Sequence, residues 1–365
     1  MSEAADMATR QVDVSLGDRS YPIIIGRGLL HQPHRWQSLL PRGGRLLVVT
    51  NEIVARWYLA PLLGGLPELA TVLVLPDGES GKTLSTAERI FAALADARLT
   101  RDGTVVALGG GVIGDLAGFA AACWMRGVRF VQVPTTLLAM VDSAVGGKTG
   151  VNVPQGKNLV GAFHPPAMVL VDLATLDTLP DRELRAGCAE IVKYGAVGDA
   201  EFFAWLEANA AAILARDPVA LAHAVAQSVA HKARVVAGDE REAGERALLN
   251  FGHTFGHALE QVAGFGTLLH GEAVAIGMLQ AARLSTALGL AAAADAERLA
   301  QLLRQFGLPV SRPPDLDPGA LLAAMALDKK AVGARLRFVL WRGLGRAVMV
   351  EDVPRPAILE ILQAH

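Results

Sequence analysis

The hydrophobic period of the chain changes about half-way along. Up to residue 172, apolar runs of strand length alternate with stretches that repeat at helical spacing. Runs at 12–16 and 21–25 flank Gly17-Asp18-Arg19-Ser20 and predict a hairpin. Further runs at 45–50, 71–75, 104–108, 129–133 and 169–172 predict buried strands. Helices are predicted after Asn51, which can cap one through Leu63, from the loop ending at Lys82 to Arg98, and from Gly109–Gly114 to Trp124. Strands separated by helices imply a parallel sheet covered on both faces, of the doubly wound nucleotide-binding type. Beyond that point the pattern is helical at 182–197, 199–214, 218–237, 246–262, 271–288 and 293–306, with a short late strand at 336–340. The expectation is an α/β domain over 1–179 and a mainly α-helical domain over 180–365.

Composition supports a globular reading. At 365 residues the chain exceeds what one core usually holds, and 52% apolar against 19% charged residues leaves ample core. A net charge of −2 argues against a nucleic-acid or membrane-surface binder. The polar start and the lack of a long uncharged apolar run predict neither secretion nor a membrane span. Cys123 and Cys188 fit core thiols better than a disulfide framework, which points to the cytoplasm. Of the 34 basic residues only seven are lysines: Lys82, Lys148, Lys157, Lys193, Lys232, Lys329 and Lys330. A chain that otherwise prefers arginine keeps lysine where a compact ammonium with an adjustable pKa is required.

The candidate chemistry begins at Gly109-Gly110-Gly111-Val112-Ile113-Gly114-Asp115, which follows a strand, opens a helix and satisfies G-x-G-x-x-G. Such a turn lets backbone approach a pyrophosphate at a helix N-terminus. No acidic residue follows at the dinucleotide spacing, so Asp77 and Glu79 become the candidates for holding a ribose. Thr135 and Thr136 end the strand at 129–133, on the edge where open α/β sheets bind ligands. Gly146-Gly147-Lys148-Thr149 is not a P-loop, because Asp142 stands where that motif needs glycine. With Gly156-Lys157-Asn158 it still suggests an anionic substrate. In the helical half, His253 and His257 stand at i and i+4, and His270 follows before Gly271-Glu272. Thr254 replaces the glutamate of H-E-x-x-H, so peptide hydrolysis is not supported. Glu190 and Lys193 lie one turn apart. This nitrogen-and-oxygen set suits zinc or a similar divalent ion acting as Lewis acid.

Taken together, these segments resemble the 3-dehydroquinate synthases of the sugar phosphate cyclase superfamily. The matching stretches are 77–82, 109–115 with Arg126, 134–136, 142–148, 156–158, 190–193, Lys232, 246–257, 270–272 and 328–330, in family order over residues 12 to 350. The resemblance implies a Rossmann-like N-terminal domain, an α-helical C-terminal domain and an active site in the cleft. It implies metal ligands Glu190, His253 and His270, in place of the His253–His257 pair that spacing alone would choose. NAD would be held by Asp77, Gly78, Glu79, Lys82, Gly111, Val112, Ile113, Gly114, Asp115, Thr135, Thr136, Lys148, Lys157 and the segment Thr175, Leu176, Asp177, Thr178. Substrate phosphate and carboxylate would meet Lys148, Lys232, Arg246, Asn250, His257 and one of Lys329 and Lys330. Asp142, Asn158 and Lys193 would orient substrate hydroxyls and cofactor, and Arg126 would reach a neighbouring subunit's site in a homodimer. The implied reaction is phosphate elimination from 3-deoxy-D-arabino-heptulosonate 7-phosphate with closure to 3-dehydroquinate, using NAD and Zn²⁺ or Co²⁺. Ser80-Gly81 departs from the bulkier pair common in the family.

Three other readings share parts of this pattern. Another sugar phosphate cyclase would keep fold, NAD and metal, although Asn250, His253 and His257 favour dehydroquinate formation. A metal-dependent alcohol dehydrogenase like glycerol dehydrogenase has no need of so many anion-binding lysines. A nucleotide-binding module without activity would not need the full set of acids, lysines and histidines.

Overall fold

The computed structural model describes residues 9–40, 42–67, 70–242, 244–264, 266–328 and 336–364. The chain divides into two compact units, Met1–Pro180 with Leu221–Glu240, and Asp181–Ala220 with Arg241–His365. The change of period in sequence comes after residue 172, and the first segment of the first unit runs on to Pro180. Most of the predicted helix at 218–237, however, groups with the first unit by contact rather than with the helical half.

The first unit is built on a seven-stranded sheet. Its strands are β1 (Arg10–Val14), β2 (Tyr21–Gly26), β3 (Leu46–Asn51), β4 (Ala70–Leu75), β5 (Thr104–Gly109), β6 (Arg129–Pro134) and, after the β7–β8 hairpin described below, β9 (Met168–Asp172). The order is β1-β2-β9-β6-β5-β3-β4. Only the β1–β2 hairpin is antiparallel, with Val14 opposite Tyr21. Side chains alternate across the central strands. Leu47, Val49, Val105 and Ala107 pack on one face with helices α2 (Leu84–Asp96) and α3 (Gly111–Cys123). Leu46, Val48, Val106 and Leu108 pack on the other with α1 (Glu52–Gly64). This two-faced burial explains why the strands read as continuous apolar runs. It also fixes the switch point: the connection leaving β3 goes to one face and that leaving β5 to the other. Ligands of open α/β sheets bind in that crevice, at the carboxyl ends of the strands.

One element of this unit differs from expectation. The Gly-rich stretch after Ser143, where the sequence predicts no strand, holds a second, two-stranded sheet, β7 (Lys148–Val153) paired antiparallel with β8 (Gly156–Phe163). The glycines are there for contact: a Cβ on Gly161 would lie 2.2 Å from the Thr149 carbonyl oxygen. Glycine therefore marks tight pairing here rather than irregular chain.

The second unit is mainly helical: α4 (Asp181–Gly198), α5 (Ala200–Leu214), α7 (His253–Ala263), α8 (His270–Ala287), α9 (Ala293–Gln305), α10 (Pro318–Asp328) and α11 (Arg355–Gln363). The intervening α6 (Pro218–Gly238) is the helix that groups mostly with the first unit. A hairpin of β10 (Arg337–Trp341) and β11 (Ala347–Glu351) completes it. The predicted helix at 246–262 is interrupted. A 3-10 turn over Glu245–Asn250 ends before α7 begins at His253. Helix α8 is buried on nearly all sides and packs against α4, α7, α9 and α11.

Candidate metal and cofactor sites

In the second unit, three helices bring one carboxylate and two imidazoles together. Glu190 comes from the middle of α4, His253 from the first residue of α7 and His270 from the first residue of α8. Such convergence needs close helix approach, and glycine supplies it. A Cβ on Gly271 would stand 1.9 Å from the Ala186 carbonyl oxygen of α4, and one on Gly277 would stand 2.1 Å from that of Gly252. Neither position leaves room for a side chain.

Glu190 is fully buried. Its Oε1 lies 3.6 Å from His253 Nε2 and 3.6 Å from His270 Nε2. Its other oxygen forms an ion pair with Lys193, one turn on and 2% exposed. Lys193 Nζ also lies 5.3 Å from the centre of the Tyr194 ring. A buried carboxylate is costly without such a cation. The two histidines respond to the site in opposite directions. Burial and the nearby Lys193 push His253 down to about 3. Burial also lowers His270, but hydrogen bonds with Glu190 and Glu260 outweigh it and carry the imidazole up to about 10.

That donor set fits a divalent ion. Ligands at about 2.0–2.2 Å in a tetrahedron are separated from each other by about 3.3–3.6 Å, the spacing of Glu190 Oε1 from each imidazole Nε2 here. Two nitrogens and an oxygen match zinc or cobalt preferences. His257 does not join this trio. It is exposed, with its ring 5.5 Å from that of His253, and it forms an overlapping group with Glu260 and His270. The i,i+4 pairing that spacing suggests is thus replaced by Glu190, which lies more than 60 residues earlier in the chain. Arg246 is buried in the preceding 3-10 turn, and Asn250 donates from Nδ2 to Glu242 Oε1 at 2.5 Å. Glu242 was not singled out from sequence, because an acid in a charged surface stretch carries no distinguishing pattern.

In the first unit, candidate residues gather at the carboxyl edge of the sheet. Asn51, at the end of β3, accepts from Val54 N at 2.8 Å and donates to Asp77 Oδ1 at 2.5 Å. It therefore caps α1 and steers the loop acid at once, and only the first of these duties was visible in sequence. Lys82 is buried, paired with Asp115 of α3, and donates to Asn158 Oδ1 at 2.6 Å. Burial pushes the Asp115 carboxyl up although the Lys82 ammonium lowers it. Glu79 accepts from Asn152 Nδ2 at 2.8 Å, and Asn152 Oδ1 accepts from Asn158 N. Asn152, too, went unnoticed in sequence. Gly111 opens α3 directly after β5, as the G-x-G-x-x-G reading expects, with Val112, Ile113 and Gly114 in its first turn. The Thr135 hydroxyl is buried without a hydrogen-bond partner among the described residues, an arrangement worth about 1–3 kcal/mol to any ligand that satisfies it.

The remaining candidates are placed less tightly. Lys232 donates to the backbone oxygen and Oδ1 of Asp142 at 2.6 and 2.5 Å. Lys148 is exposed at the start of β7, and Lys157 is half-buried on β8. Gly78 has a positive φ of 111° at the turn before Glu79, and Thr136 accepts from Ala139 N. Arg126 is exposed, with φ of 67°. In the 3-10 turn Leu173–Thr178, buried Thr175 donates to the Asp172 carbonyl, whereas exposed Asp177 pairs with Arg27 and exposed Thr178 meets Tyr58 at the surface. Lys329 and Lys330 lie outside the described residues.

Comparison with known proteins identifies the family. Family models for the 3-dehydroquinate synthase N-terminal and C-terminal regions match residues 72–186 and 187–331. A 3-dehydroquinate synthase of Methylococcus capsulatus is 57% identical over 357 residues, covering 98% of this chain and 99% of its own. The chain belongs to the 3-dehydroquinate synthase family. Among solved structures, a 2-epi-5-epi-valiolone synthase from Streptomyces hygroscopicus with NAD⁺ and Zn²⁺ bound is similar at TM-score 0.87 and 33% identity, over 95% of this chain and 97% of its own. A 2-deoxy-scyllo-inosose synthase complexed with carbaglucose-6-phosphate, NAD⁺ and Co²⁺ is similar at TM-score 0.87 and 26% identity, over 98% of this chain and 99% of its own. The family fold of a parallel-sheet domain and a helical domain is the one observed.

Proposed function

We propose that this chain converts 3-deoxy-D-arabino-heptulosonate 7-phosphate to 3-dehydroquinate and phosphate, a carbon–oxygen lyase reaction using bound NAD and Zn²⁺ or Co²⁺. The observation that carries the reading is full-length identity of 57% to a relative bearing that activity's name. Glu190, His253 and His270 would hold the ion, and the β3, β4, β5 and β6 loop residues from Asn51 and Asp77 to Thr135 would hold NAD. When bound, the ion supplies Lewis-acid polarisation of a hydroxyl and NAD supplies reversible hydride transfer, so neither is consumed.

The chain's own groups do the rest by position and charge. Lys193 occupies one oxygen of Glu190 and leaves the other directed at the two imidazoles. Loss of phosphate concentrates negative charge on the leaving oxygens, where preorganised cations are most effective. In the second unit Arg246, Asn250 and His257 are assigned to that anion. In the first, Lys148 and Lys232 are assigned to substrate anionic groups, and Asp142 and Asn158 to substrate hydroxyls. Lys82 and Asp115 shape the cofactor side through their ion pair. The same reading includes a homodimer, to which Arg126 contributes, and a cytoplasmic setting; among the described residues no helix is long and apolar enough to cross a membrane. Light-scattering mass in solution checks the dimer.

The test offers purified protein, with NAD and Zn²⁺ or Co²⁺, the heptulosonate phosphate and, separately, a sugar phosphate without a carboxylate. Phosphate is expected from the first at least about 100-fold faster than from the second, as a site built for a charged group discriminates. Equal or reversed rates would move the chain to another cyclase activity.

A further inference from the structure

Each histidine that faces Glu190 has its other ring nitrogen opposite an acceptor. His253 Nδ1 lies 3.3 Å from the Phe251 carbonyl oxygen, and His270 Nδ1 lies 3.3 Å from Glu260 Oε2. A carbonyl or an ionised carboxylate can only accept, so both rings are directed to carry their hydrogen on Nδ1 and a lone pair on Nε2. Those Nε2 atoms are the ones that converge on Glu190. For His253 the anchor is backbone and no substitution removes it. For His270 it is the side chain of Glu260, on α7 two turns beyond His253 and 6% exposed. Its neighbours Ala258 and Leu259 are buried and apolar. A carboxylate in such surroundings is retained only where a charged or hydrogen-bonding partner compensates its burial.

We propose that Glu260 is a positioning residue for the metal site: by accepting the Nδ1 hydrogen of His270 it fixes the ring's tautomer and orientation and thereby sets affinity for the divalent ion. The proposal rests on the metal reading above. A competing arrangement spans α7 and α8, since donor atoms of His257, Glu260 and His270 also lie within 4.8 Å of one another. In that arrangement Glu260 would be a ligand itself. The two differ in what an amide can replace. A glutamine oxygen still accepts from Nδ1–H but is a poor substitute for a ligating carboxylate.

The experiment measures Co²⁺ affinity of the full chain by chelator competition, together with the ligand-field absorption of the Co²⁺-saturated protein, kcat and substrate KM. The variants are Glu260→Gln and Glu260→Ala, with Glu190→Gln as reference. Outer carboxylates of ligating histidines are worth about 10–100-fold in metal affinity. Glu260→Ala should weaken Co²⁺ by that factor, Glu260→Gln should recover most of it, and both should keep the wild-type absorption at saturation and an unchanged KM. If Glu260→Gln loses as much as Glu260→Ala and alters the saturated spectrum, Glu260 is a ligand and the proposal is overturned. Wild-type affinity in both variants overturns it as well. If Glu190→Gln binds Co²⁺ as tightly as wild type, the metal reading itself fails and takes this one with it.

Discussion

At the scale of single residues, the second unit separates two histidines that the sequence treats alike. His253 and His257 are one turn apart, yet only His253 faces Glu190 Oε1, while His257 is exposed. Replacing Glu190 by Gln or His270 by Ala should therefore abolish metal retention, with turnover reduced at least about 100-fold, whereas His257→Ala should keep the metal. Metal content per chain, measured by elemental mass spectrometry after gel filtration, checks this; metal lost with His257 and kept without His270 would reverse the assignment. The cysteines give a second residue-level expectation. Cys188 is buried as the sequence suggests, and burial pushes its thiol up to about 12; Cys123 is not the core thiol expected but exposed, although its partial burial raises its thiol too. At neutral pH the thiolate is the reactive form, so a thiol reagent should label Cys123 alone until the protein is unfolded. Mass spectrometry of the labelled native protein reads out one site. Sequence showed where histidines and lysines cluster, because rare residue types in glycine-rich contexts stand out. It did not show the Asn51–Asp77 contact, Asn152, Glu242 or Glu260, whose contacts involve neighbours distant along the chain or a helix face no pattern marks.

At the scale of elements, the α8 N-terminus carries His270 and is held by Glu272, three residues into the first turns. Glu272 Oε2 accepts from Leu269 N at 2.8 Å, and both its oxygens take hydrogen bonds from Arg182 at 2.7 Å. Burial raises the Glu272 carboxyl, but the Arg182 and Leu269 hydrogen bonds dominate and lower it below the usual glutamate value. A carboxyl depressed in the folded state stabilises above its unfolded pKa, and that contribution fades as pH falls through the folded value. Glu272→Gln should thus cost about 1 kcal/mol at neutral pH, by analogy with other helix caps, and the difference from wild type should shrink in acid. Urea unfolding at several pH values measures it. Gly271→Ala should cost more than about 2 kcal/mol, since its Cβ would overlap the Ala186 carbonyl. Strands and helices of regular period were legible in sequence: the β1–β2 hairpin, the parallel strands and most long helices stand within a few residues of expectation. Not legible were α10, α11 and β11 near the C-terminus, together with elements whose pattern is interrupted by contact demands. Glycines permit the tight β7–β8 pairing and look like loop, and the 3-10 turn before His253 keeps helical spacing while ending the helix.

At the scale of the whole molecule, family membership and site geometry support each other but speak to different parts of the claim. On the proposed reading the sheet's switch point and its edge residues would hold a nucleotide, and Glu190, His253 and His270 would hold an ion. Neither by itself distinguishes a lyase from an alcohol dehydrogenase, because both kinds of enzyme oxidise an alcohol with NAD beside a metal. The distinction lies in the fate of the hydride: a dehydrogenase exports it as NADH, and a lyase of this family returns it. The most direct measurement supplies the metal-loaded protein with excess heptulosonate phosphate and NAD only equimolar with the protein, and follows phosphate and NADH together. Many phosphates released per NAD, with no steady rise of NADH, are the result this account predicts. Phosphate release that stops after one equivalent, or NADH that accumulates in proportion to substrate consumed, would contradict it.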